Sequence, residues 1–254
     1  MGINTNTTTG NIVNIHYSNF LGGMFVANDA NNAAMKEVKA EIGEDAVKKG
    51  FVGAGSNCPS GKARELLQQK GVDLVSLSGI LTGVRVREKE KDGRKTCYLN
   101  VGFKDDDGRY YLSVDLNNQG SQMLARKLVN AVPGKLTDLS MFATYAKKEG
   151  AAQAYAEHGV SLKQGNDQVP GVSPKDELAP RVEAALKALK DVGVDDKETL
   201  RKRRQGIQLD YHKNLMTQVE AKFASYYEEI GVSSPAQNNA EVGTGEEDLD
   251  EIPF

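Results

Sequence analysis

The chain has no tryptophan, three histidines and two cysteines in 254 residues, and nowhere do 18 apolar residues run together. Without such a run no helical membrane span is expected. Cys58 and Cys97 are too far apart for a metal-ligand spacing or a disulfide framework, so free thiols in an intracellular chain are the expectation. His16, His158 and His212 are scattered and pair with no cysteine at a zinc spacing. Residues 1–10 are rich in Asn and Thr and lack a basic stretch followed by an apolar one, so they do not read as a secretory signal. The stretch Gly55 to Lys62 superficially matches a phosphate loop, but Ser56 stands at the first glycine position and Ala63 replaces the magnesium-binding hydroxyl. Asp105-Asp106-Asp107 precedes Gly108 and reads as a solvated turn, not as a metal-nuclease cluster. No Ser/His or Cys/His arrangement is evident. Neither catalysis nor a metal or other cofactor is expected, and the compartment expected is the cytoplasm.

What is present is an ordinary globular composition, 39% hydrophobic and 26% charged. Four segments follow from the pattern: an Asn-, Ala- and Gly-rich extension over 1–71, a strand-rich core over 72–172, a helical segment over 173–231 and an acidic tail over 232–254. The extension contains a possible strand at Ile12–Tyr17 and a helix at Ser60–Lys70, with Ser60 as N-cap and Gly71 just past the end. In the core, strands are predicted at Leu77–Glu88, Thr96–Lys104 and Arg109–Leu116. The last two are joined by a hairpin in which Asp-Gly supplies the positive-φ positions. A helix capped by Ser121 runs to Val132, a fourth strand spans Leu136–Lys147, and a weaker fifth falls within Ala152–Gln168. Three strands, a helix and two strands is the order of an OB-fold, a five-stranded Greek-key barrel that commonly binds oligonucleotides. The predicted class is therefore mainly β with added helices. Beyond the core, one helix is predicted over Ser173–Val192 with Ser173 as cap, and a longer one over about Asp210–Ile230. The apolar stripe of the longer helix, Leu215, Val219, Phe223, Tyr226 and Ile230, is expected to pack on the barrel, with oligomerisation as the alternative.

Period-two alternation sorts the strands into faces. Cys97, Leu99, Val101 and Phe103 share one side, as do Tyr110, Leu112, Val114 and Leu116, and Val84 and Val86. The opposite side gathers Arg85, Arg87, Tyr98, Lys104, Arg109 and Tyr111. Tyrosine rings are sequence-tolerant stacking platforms and cations neutralise phosphates, so this side suits a single nucleic-acid strand, which exposes bases and backbone together. Phe142, Tyr145 and Tyr155 are further aromatic candidates. Lys89, Lys91, Arg94 and Lys95 are expected to form a clamp in the loop after the first strand. A bland solvated sheet face remains the alternative, since Glu88, Glu90, Asp92 and the three turn acids keep the local net charge small. Arg201-Lys202-Arg203-Arg204 is a second basic cluster.

The whole chain carries −3. Without the six acids that follow Ser233, the first 232 residues carry +3. A segment so acidic and so poor in apolar residues is expected to lack fixed structure, yet it closes on Asp250-Glu251-Ile252-Pro253-Phe254. An acidic run ending in Pro and Phe fits a docking peptide: Phe fills a pocket, Pro lowers the ordering cost and the acids steer toward a basic rim. The tip resembles the C-terminal tip of bacterial single-stranded DNA-binding proteins, with Leu249 where that family has an acid. The resemblance covers fewer than ten residues. It implies recruitment of replication, recombination and repair proteins through Asp250, Glu251, Ile252, Pro253 and Phe254, while an OB-fold holds single-stranded DNA. The extra N-terminal and helical segments suggest a bacteriophage-encoded relative, active in the host cytoplasm. A strand-annealing or duplex-tolerant recombination factor, and a protein-interaction module that holds no DNA, are the alternatives. The tail is also expected to reach either basic surface and to inhibit it.

Overall fold

The computed structural model describes residues 11–51, 58–91, 94–146 and 155–229; the side chains of Asn11, Lys91, Arg94, Tyr145, Ala146 and Tyr155 fall outside the description. The tail residues expected to bind partners, Asp250 to Phe254, also lie outside the described residues, as does Ile230.

Among the described residues eight strands, where five in the core and one at Ile12–Tyr17 were expected, form one sheet: β1 Asn11–Ser18, β2 Gly23–Val26, β3 Leu77–Lys91, β4 Arg94–Lys104, β5 Gly108–Asp115, β6 Leu136–Ala146, β7 Tyr155–Gln164 and β8 Asp167–Gln168. Their order is β2-β1-β5-β4-β3-β6-β7-β8, and one further pair, Gly23↔Phe142, brings β2 against β6. One additional strand is β8; the other, β2, comes from the N-terminal segment, expected to pack on the core. That segment contributes β1, which runs parallel to β5, and β2, which turns back on β1. Parallel pairing leaves no local turn signal between partners, which is why the sequence did not announce it. β3 pairs with β4 from Ile80 to Lys91 but with β6 only through Leu77–Ile80, and its register shifts at a bulge between Leu81 and Gly83. Such a bulge turns the corner that a strand shared by two neighbours must make.

Six helices lie among the described residues: α1 Asp29–Ile42, α2 Glu44–Lys49, α3 Pro59–Gln69, α4 Gln119–Leu128, α5 Leu178–Asp191 and α6 Lys197–Glu229. Several starts differ from expectation. Cys58, not Ser60, caps α3, its Sγ accepting from Gly61 N–H at 3.3 Å, and Gly61 and Lys62 lie inside the helix rather than in a phosphate loop. Asn118 stands at the N-cap of α4, and Ser121 is buried within it. α5 begins at Leu178, five residues after Ser173, because Pro180 is tolerated only in a first turn. α6 begins thirteen residues before Asp210 and runs for 33 residues. The Asp105–Gly108 hairpin does not use glycine's left-handed freedom, since Gly108 is not among the positive-φ glycines. The Asp105 carboxylate closes it instead, accepting from Asp107 N–H at 2.9 Å and Gly108 N–H at 3.0 Å.

Helices α1 and α3 bury Leu21, Phe25, Met35, Val38, Ala63, Leu67 and Val72 in a cluster of their own beside β2. Arg64 of α3 fastens that cluster to the sheet. Its guanidinium donates to Leu21 O, to Gly22 O at 3.1 Å and to Ala143 O at 3.1 Å, and lies over the Phe51 ring. The main core sits on the other side of the sheet, where Ile15, Leu99, Val101, Leu112, Leu139 and Leu162 are fully buried. α6 closes this core with Met216, Val219, Phe223 and Tyr227. The stripe therefore packs on the sheet, as expected, shifted to Met216 and Tyr227 in place of Leu215 and Tyr226, which are only partly buried. α6 is also bound through polar groups. Glu220 accepts from Val86 N–H, Lys213 pairs with Glu88, and Lys222 Nζ donates to Val129 O at 3.0 Å and Ala131 O at 2.6 Å.

If α6 is part of the core, Phe223→Ala should cost about 3–5 kcal/mol. Urea unfolding would read this as a lower midpoint at unchanged slope; a loss below about 1 kcal/mol would mean that α6 merely rests on the sheet.

Candidate functional site

Burial alternates along β4 and β5 as the pattern requires. Cys97, Leu99, Val101, Phe103, Tyr110, Leu112 and Val114 point into the core, as does Leu116 just past β5, and the residues between them point out. Val84 follows the same rule on β3, and Val86 packs half-buried against the core. The six outward residues therefore share the outer face of three adjacent strands. Their register gives four cross-strand rows. Arg87 faces Tyr98, which faces Asp115; Arg85 continues through Asn100 and Ser113 to His16; Gly102 faces Tyr111 and then Asn14; Lys104 faces Arg109 and then Ile12. From Tyr98 to Lys104 the face runs roughly 20 Å along β4, at ~3.3 Å per residue. The stacking platforms Tyr98 and Tyr111 are half-buried, while Arg85, Lys104 and Arg109 are exposed. Beside Tyr111, a Cβ on Gly102 would stand in ordinary contact with the ring at 3.5 Å but would crowd Thr82 Oγ1 at 2.9 Å.

Lys89, expected in a loop, belongs to β3, and its ammonium lies 5.6 Å from the centre of the Tyr98 ring. This is the geometry of a cation held over an aromatic face. Lys95 is exposed and lies 3.9 Å from Glu90. The backbones of Lys91 and Arg94 are paired in the β3–β4 ladder.

Phe142 does not join the group. It is exposed on β6, opposite Gly23 of β2 and Gly159 of β7, with β2 and β1 between it and β5. Its ring lies directly over Gly159, where any Cβ would collide with it. Tyr145 pairs with Ala156 in the same ladder, but its side chain and that of Tyr155 lie outside the described residues. Arg201 to Arg204 lie in the first turns of α6, all exposed, and Lys202 pairs with Glu198 at 2.7 Å.

No protein-family model, curated protein or solved structure matches this chain.

Two features of the face escaped the sequence pattern. The first is an exposed apolar margin: Ile12, Ile80 and Leu136 are 41%, 44% and 62% exposed and lie in one row with Arg109 and Lys104. The alternation within each strand was legible, but the row became visible only when the register was known. The second is His16, which packs against Phe25 at 6.3 Å between ring centres. Burial lowers its affinity for a proton, and the Lys89 ammonium lowers it further. The other two histidines are elsewhere: His158 Nδ1 lies 2.7 Å from the Tyr17 hydroxyl, and His212 is buried in α6. Among the described residues no three His, Cys, Asp or Glu side chains group as a metal site, and no helix is long and apolar enough to cross a membrane.

The Lys89 ammonium opposes protonation of His16. In Lys89→Ala the His16 titration, followed by NMR of the ring protons, should move up toward pH 6.5 while staying below it, because burial remains. An unchanged titration would remove Lys89 from the face.

Proposed function

We propose that the outer face of β3, β4 and β5 binds single-stranded DNA and that the acidic C-terminal tip recruits partner proteins. The observation that carries the first part is the gathering of Tyr98 and Tyr111 with Arg85, Arg87, Lys104 and Arg109 in adjoining rows of one face. Stacking on tyrosine supplies roughly 1–3 kcal/mol per base with little sequence preference, and the four cations neutralise backbone phosphates as counterions leave. We read β3 to β7 with α4 as an OB-like core. The order strand–strand–strand–helix–strand–strand, and a long first strand serving both β4 and β6, support that reading. β1 and β2 would then occupy the gap between β5 and β6. The resemblance of the tip to that of bacterial single-stranded DNA-binding proteins supports the second part, and with it a role in coating DNA for replication, recombination or repair.

A second reading has one observation in its favour. The row Ile12, Arg109, Lys104, Ile80 and Leu136 mixes exposed apolar and cationic groups, as a protein-docking surface does.

Salt separates the two. With four cations engaged, log affinity for oligo-dT should fall with log salt at a slope of about −3, near −0.7 per phosphate. Tyr98→Ala with Tyr111→Ala should weaken binding at least about tenfold, and urea unfolding should be nearly unchanged since both rings face outward. Failure to shift oligo-dT at low salt would favour the docking surface. For the tip, deletion of Phe254 should leave oligo-dT affinity intact and abolish pull-down of host replication enzymes; pull-down that persists would refute the docking role.

A further inference from the structure

A groove of about 1030 Å³ lies between α4, α5 and α6, away from the aromatic face. Leu178, Ala179, Val182 and Leu186 of α5 make its lining aliphatic. Arg126, Lys175, Lys187, Lys190 and Arg204 also line it, opposed only by Glu183 and Asp191. Arg126 is withdrawn from water far enough that burial lowers its affinity for its proton, and its Nε donates to Gln122 O at 3.3 Å. His212 lines the groove with only 1% of its surface exposed. Its Nδ1 lies 2.7 Å from Gln208 O and so carries the proton, which leaves Nε2 a buried acceptor with no partner among the described residues. Burial above all, with Arg126 adding to it, pushes the His212 pKa down to about 4, so the ring is neutral near pH 7. A buried acceptor of this kind calls for a donor such as a peptide N–H.

The lining contains no Tyr or Phe. Bases would find no stacking platform here, whereas an acidic peptide with apolar anchors would find both of its requirements met. The chain contains such a peptide. Residues 246–254 combine Glu246, Glu247, Asp248, Asp250 and Glu251 with Leu249, Ile252 and Phe254. We propose that the groove between α4, α5 and α6 is the receptor for the chain's own acidic stretch, residues 246–254. The reach suffices. Gln208 lies about 32 Å back along α6 from Glu229, at ~1.5 Å per residue. The 25 residues that follow Glu229 span at most about 83–90 Å extended, and about 27 Å as a random coil. Tethering at that range gives an effective concentration on the order of millimolar, so even weak complementarity fills the groove. A docked Phe254 is withheld from other proteins, so a partner must compete for it. The inference stands independently of what the sheet face binds.

Zero-length carbodiimide coupling of the full-length protein, with mass-spectrometric mapping, tests it. Acids of residues 246–251 should become joined to Lys175, Lys187 or Lys190, and the yield should collapse when salt shortens the Debye length to about 3 Å. Arg204→Glu leaves every lysine in place and alters an exposed residue, so it preserves the fold; it should cut those links at least threefold, as should Phe254→Ala. Links directed to Lys89, Lys95 or Lys104 of the sheet face would overturn the proposal, as would links absent altogether. In a mixture of isotopically heavy and light protein, links between heavy and light chains would assign the groove to a second copy and overturn docking within one chain.

Discussion

The unpaired edge of β3 is the constraint on which the rest of the structure depends. β4 uses one edge of this strand from Ile80 to Lys91, but β6 uses the other only from Leu77 to Ile80. Backbone hydrogen bonds with Lys135 and Gly134 extend that contact to Leu81. Beyond it, N–H and C=O groups would open the sheet to water or to another chain. α6 covers this edge. Glu220 accepts from Val86 N–H, Lys213 pairs with Glu88, and four large apolar side chains fill the space behind. Gly134, at φ +72°, lies under the Tyr226 ring, where no Cβ would fit, so the loop before β6 is shaped to the helix as well. The length of α6 follows from the same task. Its C-terminal half covers the edge, and its N-terminal half, extending past the sheet, is left to pair with α5 through Ile207 and Tyr211 and to form the groove.

The inner face fixes the outer one. Leu99, Val101, Leu112 and Val114 must face the main core to be buried, and a one-residue slip of β4 or β5 would reverse every side chain. Tyr98, Tyr111, Arg85 and Arg109 therefore point outward because their neighbours point inward. This is why the candidate face is legible in the sequence. Alternation is a local property, and both strands display it without interruption.

The parts that were not legible are those set by distant partners. The parallel pairing of β1 with β5 joins residues nearly a hundred positions apart. It is decided by which strand can fill the gap beside β5, not by any signal in Asn11–Ser18. α1 did leave local marks, with Asn28 accepting from Asn31 N–H at 2.8 Å and Met35, Val38 and Ile42 at helical spacing, but these are faint in an Asn- and Ala-rich stretch. Phe142 is one more aromatic candidate on sequence, with no face assigned to it. Its separation from the other six follows from β1 and β2 entering the sheet between β6 and β5 on one side, and on the other from β3 pairing with β6 only at Leu77–Ile80, short of Arg85 and Arg87. The early start of α6 is hidden by Lys197–Gly206, whose side chains are almost all exposed and so carry no apolar stripe.

Two cationic surfaces on one small protein need not serve one ligand. What separates them is the apolar partner each offers to a polyanion. On the sheet face the cations stand beside flat aromatic rings on a stiff, paired ladder, a surface matched to bases that stack at regular intervals. In the groove the cations rim aliphatic side chains between helices, and a buried imidazole nitrogen asks for a hydrogen-bond donor. Branched and aromatic side chains of a peptide would fit that shape, and its backbone would supply the N–H. Charge alone would draw either polyanion to either surface. If the proposed strand and peptide bind as argued, the non-ionic contacts, which salt does not screen, sort one from the other, and each surface can then be occupied without excluding the other's ligand.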